Sequence, residues 1–273
     1  MSNNGIITIA IGKKYINQAK YLAKSCIINT PHTLRAVITD LPKKLHPYFD
    51  IIIPWNSNDD PFSLKTRLFE LSPFDKTLFL DADSLVFHNI DNYWYFLDES
   101  FYVYYGKKLK EGNWYFDINK VCKLINVSWI PIFNSGMILF KKCIESKNIF
   151  DTSKLYFFNH LEKDLNIPAF RNNKYPDEPA IAISLAKYNI EPINDFGRFS
   201  RTLIKAKHIR LNILKRIAYF IKDDNFVYPL VVHFCGRKAA IYYFIEKLRL
   251  FLHFLPDSIF ISNNFPTPPN SQF

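Results

Sequence analysis

The chain has 273 residues, 48% of them hydrophobic and 17% aromatic, including 26 Phe and 16 Tyr. So much apolar surface offsets the entropy of ordering the chain and excludes wholesale disorder, and the length suits one large domain with a continuous core. Four cysteines with no CxxC pair exclude a dense disulfide scaffold and fit a reducing compartment, while a formal net charge of +10 attracts phosphates, anionic headgroups or nucleic acid without choosing among them.

Ile6 to Ile11 is an apolar run with no basic segment before it, too short for a signal core or a membrane span. It reads as a first buried strand, and the chain is expected in the cytoplasm. A helix over about Tyr15 to Ile28 buries Ile16, Ala19, Leu22 and Ala23 at helical spacing, and Asn29-Thr30-Pro31 stops it. Leu34 to Thr39 completes a βαβ opening, from which a parallel sheet follows. A short strand at Ile51 to Ile53 and a helix at about Ser63 to Leu71 lead to Thr77 to Leu80, a strand whose unbroken apolarity marks it as central. Phe101 to Tyr105 and Met137 to Phe140 read as strands, Ile144 to Leu165 as mostly helical, and Glu178 to Lys187 as a helix started by Pro176-Asp177.

From Arg198 to Arg216 there are seven Lys or Arg and no acid, which is a solvated face, an aid to membrane contact or a site for a negatively charged acceptor. Lys238 to Leu255 is a basic, aromatic helix with Ile241, Phe244, Ile245, Leu248, Leu252 and Leu255 on one stripe. Tyr242, Tyr243, Leu250 and Phe254 make its other faces apolar, so it needs cover as a core helix, a dimer contact or an interfacial anchor with Lys247 and Arg249 near anionic headgroups. The expected organisation is an α/β domain over 1–237, a helical C-terminal extension over 238–262, and a flexible, proline-containing tail over 263–273.

The central strand runs directly into Asp81-Ala82-Asp83. Residues two apart on an extended segment point the same way, so both carboxylates would face one side at the C-terminal end of a buried strand, where open α/β sheets bind ligands. Paired carboxylates repel unless a cation lies between them, and Mg²⁺ or Mn²⁺ prefers oxygen ligands shared with substrate phosphates. The bland alternative is a turn leading to a helix N-cap.

Lys65 to Asp91, with Leu71-Ser72-Pro73-Phe74-Asp75 before the strand and Ser84-Leu85-Val86-Phe87-His88-Asn89-Ile90-Asp91 after it, resembles the heart of glycosyltransferase family eight, the family of glycogenin and the lipopolysaccharide galactosyltransferases. Three further stretches agree in order: Phe133-Asn134-Ser135-Gly136-Met137, Asp177-Glu178 and His233-Phe234-Cys235-Gly236. The resemblance implies the GT-A fold, a mainly parallel central sheet flanked by helices. It also implies a retaining, metal-dependent transfer of sugar from a nucleotide-diphosphate donor, above all a UDP-hexose. Asp81, Asp83 and His233 would hold Mn²⁺ or Mg²⁺. Lys65, Ala82, Asn134 and Ser135 would face the donor, and Asp177 with Asn134 would serve the reacting sugar. Gly136 would let backbone approach the ligand. Thr8, Ala10 and Tyr15, at the opening βα turn, are candidates for the base and ribose.

The family commonly has Gln where Glu178 stands, often an acid where Gly12-Lys13-Lys14 stands, and Lys-Pro-Trp after HFxG where this chain has Arg237-Lys238-Ala239-Ala240. Gly236, Arg237 and Lys238 are therefore the phosphate-contact candidates, with Arg237 or Lys238 in the lysine's role. The expected partners are a UDP-sugar, a hydroxyl on a glycan, glycolipid or protein, and an anionic membrane surface. A nucleotidyltransferase lacks its Gly-rich loop here, since Gly12 is alone in the first turn, and no nucleic-acid motif accompanies the charge. An inactive or non-catalytic nucleotide-sugar-binding relative is the first alternative, and a basic nucleic-acid-binding protein the second.

Overall fold

The computed structural model describes residues 3–56, 60–159, 175–195 and 197–255. The opening run forms β1 (Asn4–Ala10), followed by α1 (Lys13–Asn29), β2 (Leu34–Thr39) and β3 (Ile51–Pro54). The expected helix near Ser63 is two short pieces, α2 (Pro61–Lys65) and α3 (Leu68–Leu71), because the chain between them takes tighter turns: Thr66 N–H donates to Ser63 O and Arg67 N–H to Leu64 O. β4 (Lys76–Leu80) and β5 (Ser84–Val86) flank the Asp81-Ala82-Asp83 turn. α4 (Phe96–Glu99), β6 (Tyr102–Val103), β7 (Gly106–Leu109), α5 (Ile118–Ile125), β8 (Ile130–Phe133) and β9 (Met137–Lys141) follow.

The second half contains α6 (Ile144–Asn159) and α7 (Asp177–Lys187), then five strands, β10 (Arg201–Thr202), β11 (Lys207–Asn212), β12 (Ile217–Lys222), β13 (Asn225–Val227) and β14 (Val231–His233). It closes with α8 (Ala239–His253). The expected helical stretch beyond Asn159, to Leu165, and the expected tail over 263–273 lie outside the described residues.

The main sheet has the order β3-β2-β1-β4-β9-β6. β3, β2, β1 and β4 run parallel, as the βαβ opening requires, whereas β9 is antiparallel to β4 and β6 antiparallel to β9. One face packs Ile7, Phe79, Phe140, Phe150 and Ile181, and the other packs Ile6, Leu22, Leu78 and Leu139. Burial on both faces explains why β4 reads as continuous apolar sequence. A second sheet, β10-β14-β5, and an antiparallel meander, β11-β12-β13, complete the far side. The meander's first strand, β11, lies within the Arg198 to Arg216 run and was not legible there, because its alternation is diluted by cations at exposed positions.

α8 turns Ala239, Glu246 and Leu250 inward. Its one buried acid, Glu246, accepts from the Ile213 N–H at 2.8 Å and pairs with Arg249, whose Nη1 also donates to Leu211 O at 2.9 Å. Lys247 Nζ sits 4.8 Å from the centre of the Tyr21 ring on α1. The two cations expected to face headgroups are thus engaged with the protein, while Ile241, Phe244, Leu248 and Leu252 stay exposed.

Leu78 lies on β4 with no exposed surface. Leu78→Ala is expected to lower the unfolding free energy by about 2–5 kcal/mol, the cost of a large-to-small change in a packed core, as measured by denaturant titration.

Candidate functional site

The site is assembled where β4 ends. Leu80 pairs with Met137 in the β4–β9 ladder, and the Asp81 N–H then donates to Gly136 O at 2.9 Å, so the two motifs are stitched together by backbone. Asp81-Ala82-Asp83 is a turn rather than extended chain, closed by the Ser84 N–H donating to Asp81 O at 2.9 Å, and it leads to a strand, not to a helix N-cap. Its carboxylates therefore converge through the turn and not through strand alternation. β14 lies antiparallel to β5 with His233 opposite Ser84, and the Phe234 N–H donates to Asp83 O at 3.0 Å. That register brings His233, 150 residues on, against both acids.

His233 Nε2 lies 3.0 Å from Asp83 Oδ1 and 3.6 Å from Asp81 Oδ2. One ligand atom from each of the three residues falls within 4.8 Å of the others, so this group of one buried histidine and two half-buried acids could hold a metal ion. An imidazole and two carboxylates are a donor set that suits a divalent cation such as Mn²⁺. Burial alone would lower the His233 pKa, but the hydrogen bond to Asp83 and the charges of Asp83 and Asp81 outweigh it and raise it. For Asp83, burial acts upward and is overcome by His233 and Lys65, so its pKa falls; for Asp81, burial wins and its pKa rises.

The orientation of His233 is fixed by a chain of partners. Glu178 Oε1 faces Asn134 Nδ2 at 3.1 Å and the Ser135 N–H at 3.1 Å, and the Tyr115 hydroxyl donates to Oε2 at 2.8 Å. An ionised carboxylate only accepts, which turns the Asn134 amide nitrogen toward Glu178 and its oxygen toward the Gly136 N–H at 3.2 Å and His233 Nδ1 at 2.7 Å. Nδ1 therefore carries the proton, and Nε2 faces the acids, the arrangement in which a histidine ligates metal while its other nitrogen is anchored. Gly136 has a more specific reason than ligand approach: a Cβ there would lie 2.3 Å from His233 Nδ1 and 2.8 Å from Asn134 Oδ1.

Across the cleft Lys65, 6% exposed, donates to Ser135 Oγ at 3.1 Å and lies 3.0 Å from Asp81 Oδ1 and 3.4 Å from Asp177 Oδ2. Burial acts to lower its pKa, but Asp177 and Asp81 dominate and raise it, so the ammonium stays charged. Asp177 and Glu178 form the first turn of α7 behind Pro176, and neither caps the helix with its side chain; both point to the cleft. Asp177 Oδ2 is buried with no hydrogen-bond partner. Burial, then the charge of Asp177, raises the Glu178 pKa against the pull of Tyr115, Ser135 and Lys65.

These residues line a cleft of about 290 Å³ that also takes in Tyr15, Ala82, Asn134 and Ser135. Other candidates lie outside its lining. Thr8 and Ala10 have no exposed surface and do not line it; Ile9 and Ile11, one position along the strand, do. A one-residue step on a strand changes face. Gly236, Arg237 and Lys238 also stand outside the lining, and Lys238 Nζ instead donates to Ala206 O at 2.7 Å. Gly12-Lys13-Lys14 carries no acid, and Asp40, after β2, holds the turn by accepting from the Gly12 N–H with both oxygens at 3.1 Å. Tyr115 and Cys235 line the cleft without having been singled out; Tyr115 sits in an aromatic triplet that carries no motif.

No protein-family model and no curated protein sequence matches this chain. Solved structures do. The galactosyltransferase LgtC in complex with donor and acceptor sugar analogues superposes with a TM-score of 0.59 at 16% identity, over 93% of this chain and 98% of that one. An active-site mutant of LgtC gives 0.54 at 18% identity, over 85% and 88%. The bifunctional glycosyltransferase WbbM gives 0.54 at 10% identity over 92% of this chain, which spans about half the length of that structure, 51%. The chain has the GT-A glycosyltransferase fold and resembles family eight in it.

Gly136→Ala is expected to displace the imidazole and weaken Mn²⁺ binding more than about tenfold without unfolding the protein, as read by calorimetry beside circular dichroism. Glu178→Met, which removes the acceptor, should weaken Mn²⁺ binding about 10–100-fold and mix the His233 tautomers seen by ¹⁵N NMR, whereas Glu178→Gln, which keeps an acceptor oxygen, should retain both.

Proposed function

We propose that the protein transfers a hexose from a nucleotide-diphosphate donor, most simply a UDP-sugar, to a hydroxyl of a glycan or glycolipid with retention of anomeric configuration. The observation that carries this reading is the meeting of Asp81, Asp83 and His233 at the end of β4, on one wall of a cleft whose other wall holds Lys65 and Asp177. In the reaction the bond from the anomeric carbon to the diphosphate oxygen breaks, a bond to the acceptor oxygen forms, and the acceptor proton passes to the departing phosphate. A bound Mn²⁺ or Mg²⁺ would offset the charge that grows on the leaving diphosphate.

The remaining roles belong to the chain. Four acids, Asp81, Asp83, Asp177 and Glu178, face two basic groups, Lys65 and His233, a surplus of negative charge that suits a cation on the Asp81 side. Asp177 Oδ2, which faces the Lys65 ammonium at 3.4 Å but accepts no hydrogen bond, suits a hydroxyl of the donor sugar, which would supply the missing bond. Lys65 bridges Asp81 and Asp177, offsets their repulsion and presents an N–H to the donor. Tyr15, 43% exposed at the cleft beside Ile9 and Ile11, offers a ring for the base.

Membrane contact is a narrower proposal. No described helix is long and apolar enough to cross a membrane, and with Lys247 and Arg249 engaged inward it would fall to the exposed apolar side chains of α8 to touch a surface carrying the acceptor.

Calorimetric titration with UDP should give binding that requires Mn²⁺ in the wild type and is lost in Asp83→Ala; no UDP binding with or without metal would overturn the UDP-donor reading. Asp177→Asn is expected to keep UDP binding and lower transfer by on the order of 10²-fold, measured with a radiolabelled UDP-hexose. Intact UDP binding with no transfer or hydrolysis of any UDP-sugar would favour a non-catalytic binding protein.

A further inference from the structure

A second cavity, of about 300 Å³, adjoins the metal cleft and has no part in the chemistry described above. Exposed Asn134 lines both, so the two meet at the residue that also touches His233. The second cavity is walled by Tyr105 and Lys107 around the start of β7, by Phe133 on β8, by Arg201 and Thr202 on β10, and by Lys222 at the end of β12. Its size is at the small end of ligand pockets, roughly room for a sugar ring with one substituent.

Three cations line it, and they differ in how they are paired. The Arg201 guanidinium lies 3.4 Å from the centre of the Tyr105 ring, with Nη2 2.6 Å from buried Asp195, so it is neutralised and serves as wall. Lys107 pairs at 3.1 Å with Asp223, both mostly exposed, an ion pair in water that yields readily to a competing anion. Lys222 is different. Its Nζ donates to Thr202 O at 2.9 Å, Thr202 Oγ1 at 2.6 Å and Ile204 O at 3.4 Å, all uncharged oxygens that hold the ammonium in place without neutralising it. Burial holds its pKa below the ordinary lysine value despite the opposing influence of Asp223, the mark of a cation lacking its counter-charge. A neutral sugar entering here would replace water on Lys222 with uncharged acceptors at most, whereas an anion would also bring the counter-charge that repays the desolvation.

We propose that this cavity is the acceptor subsite and that the acceptor carries an anionic group, a phosphate or a carboxylate, seated against Lys222 and Lys107 with its reacting hydroxyl toward Asn134. The inference rests on the donor reading of the neighbouring cleft and narrows the acceptor class within it. It also gives a use to Lys222, a cation of the C-terminal third that the metal cleft leaves unexplained.

The test is calorimetric titration of a methyl hexoside, a hexose 6-phosphate and a hexuronic acid, each with the protein alone and with the protein saturated with UDP and Mn²⁺. The wild type is expected to bind an anionic probe about tenfold or more tightly than the neutral hexoside, the worth of a charge-assisted hydrogen bond. Lys222→Met should abolish the preference and Lys222→Arg should keep it. Lys107→Met, at an exposed position, should reduce the preference by a few-fold and serves where Lys222→Met does not fold. The better anionic probe identifies phosphate or carboxylate as the group. Equal affinity for neutral and anionic probes in the wild type, or a preference that survives Lys222→Met, would overturn the proposal. A missing UDP isotherm would sink the donor reading separately, because the titrations without UDP and Mn²⁺ still measure the charge preference.

Discussion

The buried ammonium of Lys65 lies between Asp81 and Asp177, 3.0 and 3.4 Å from their carboxylates. Acids crowded into one cleft repel, and the repulsion grows as burial removes the screening of water. Lys65 relieves it on one side, which is how Asp177 can sit buried with Oδ2 ion-paired but not hydrogen-bonded while Asp81 and Asp83 remain close to His233. Removing one partner of such a pair leaves an uncompensated buried charge, a far larger cost than losing a surface ion pair. The short α2, one turn broken before α3, is the element that delivers this cation to the end of β4.

A second constraint is directional. Tyr115, Glu178, Asn134 and His233 form a line of hydrogen bonds in which each donor and acceptor role follows from the one before it. A carboxylate at Glu178 makes the sequence of roles unambiguous, where an amide could in principle be read either way. The same line ties α7, the end of β8 and β14 together, so elements far apart in the chain are held at the tolerances a metal site needs. Gly136 belongs to this constraint because the imidazole occupies the space a side chain would take.

The sheet supplies the common frame. β4 lies at its middle with β1 on one side and β9 on the other, and the ends of β4, β8 and β14 meet at the cleft. The meander β11-β12-β13, which has no part in that frame, brings Lys222 to the edge of the neighbouring cavity. A basic run that is ordinary surface in sequence is thereby sorted. Arg201 is neutralised, Arg216 is bonded to Asn29, and beyond the run Lys222 faces the neighbouring cavity bonded to uncharged oxygens.

Much of the architecture was legible before any coordinates. The apolar run of β1 marks a buried strand and the unbroken apolarity of β4 a central one, the helical spacing of Ile16, Ala19, Leu22 and Ala23 fixes the buried face of α1, and Asp81, Asp83, Asn134, Asp177 and His233 stand out by motif. Local periodicity and residue chemistry are properties of short segments, so they survive in the sequence. The rest depended on long-range register. Whether Thr8 or Ile9 lines the cleft turns on strand parity, and Asp40 reaches the first turn across 28 residues. Tyr115 anchors Glu178 from 63 residues away. Lys238, chosen for its place beside a motif, is bound elsewhere to a backbone carbonyl. The sequence by itself determined which residues can do this chemistry, because their types set what they can bind. Only the tertiary structure decided which of them share a cleft and which way each faces, because pairing registers and the partners across them are fixed by the packing of the whole chain.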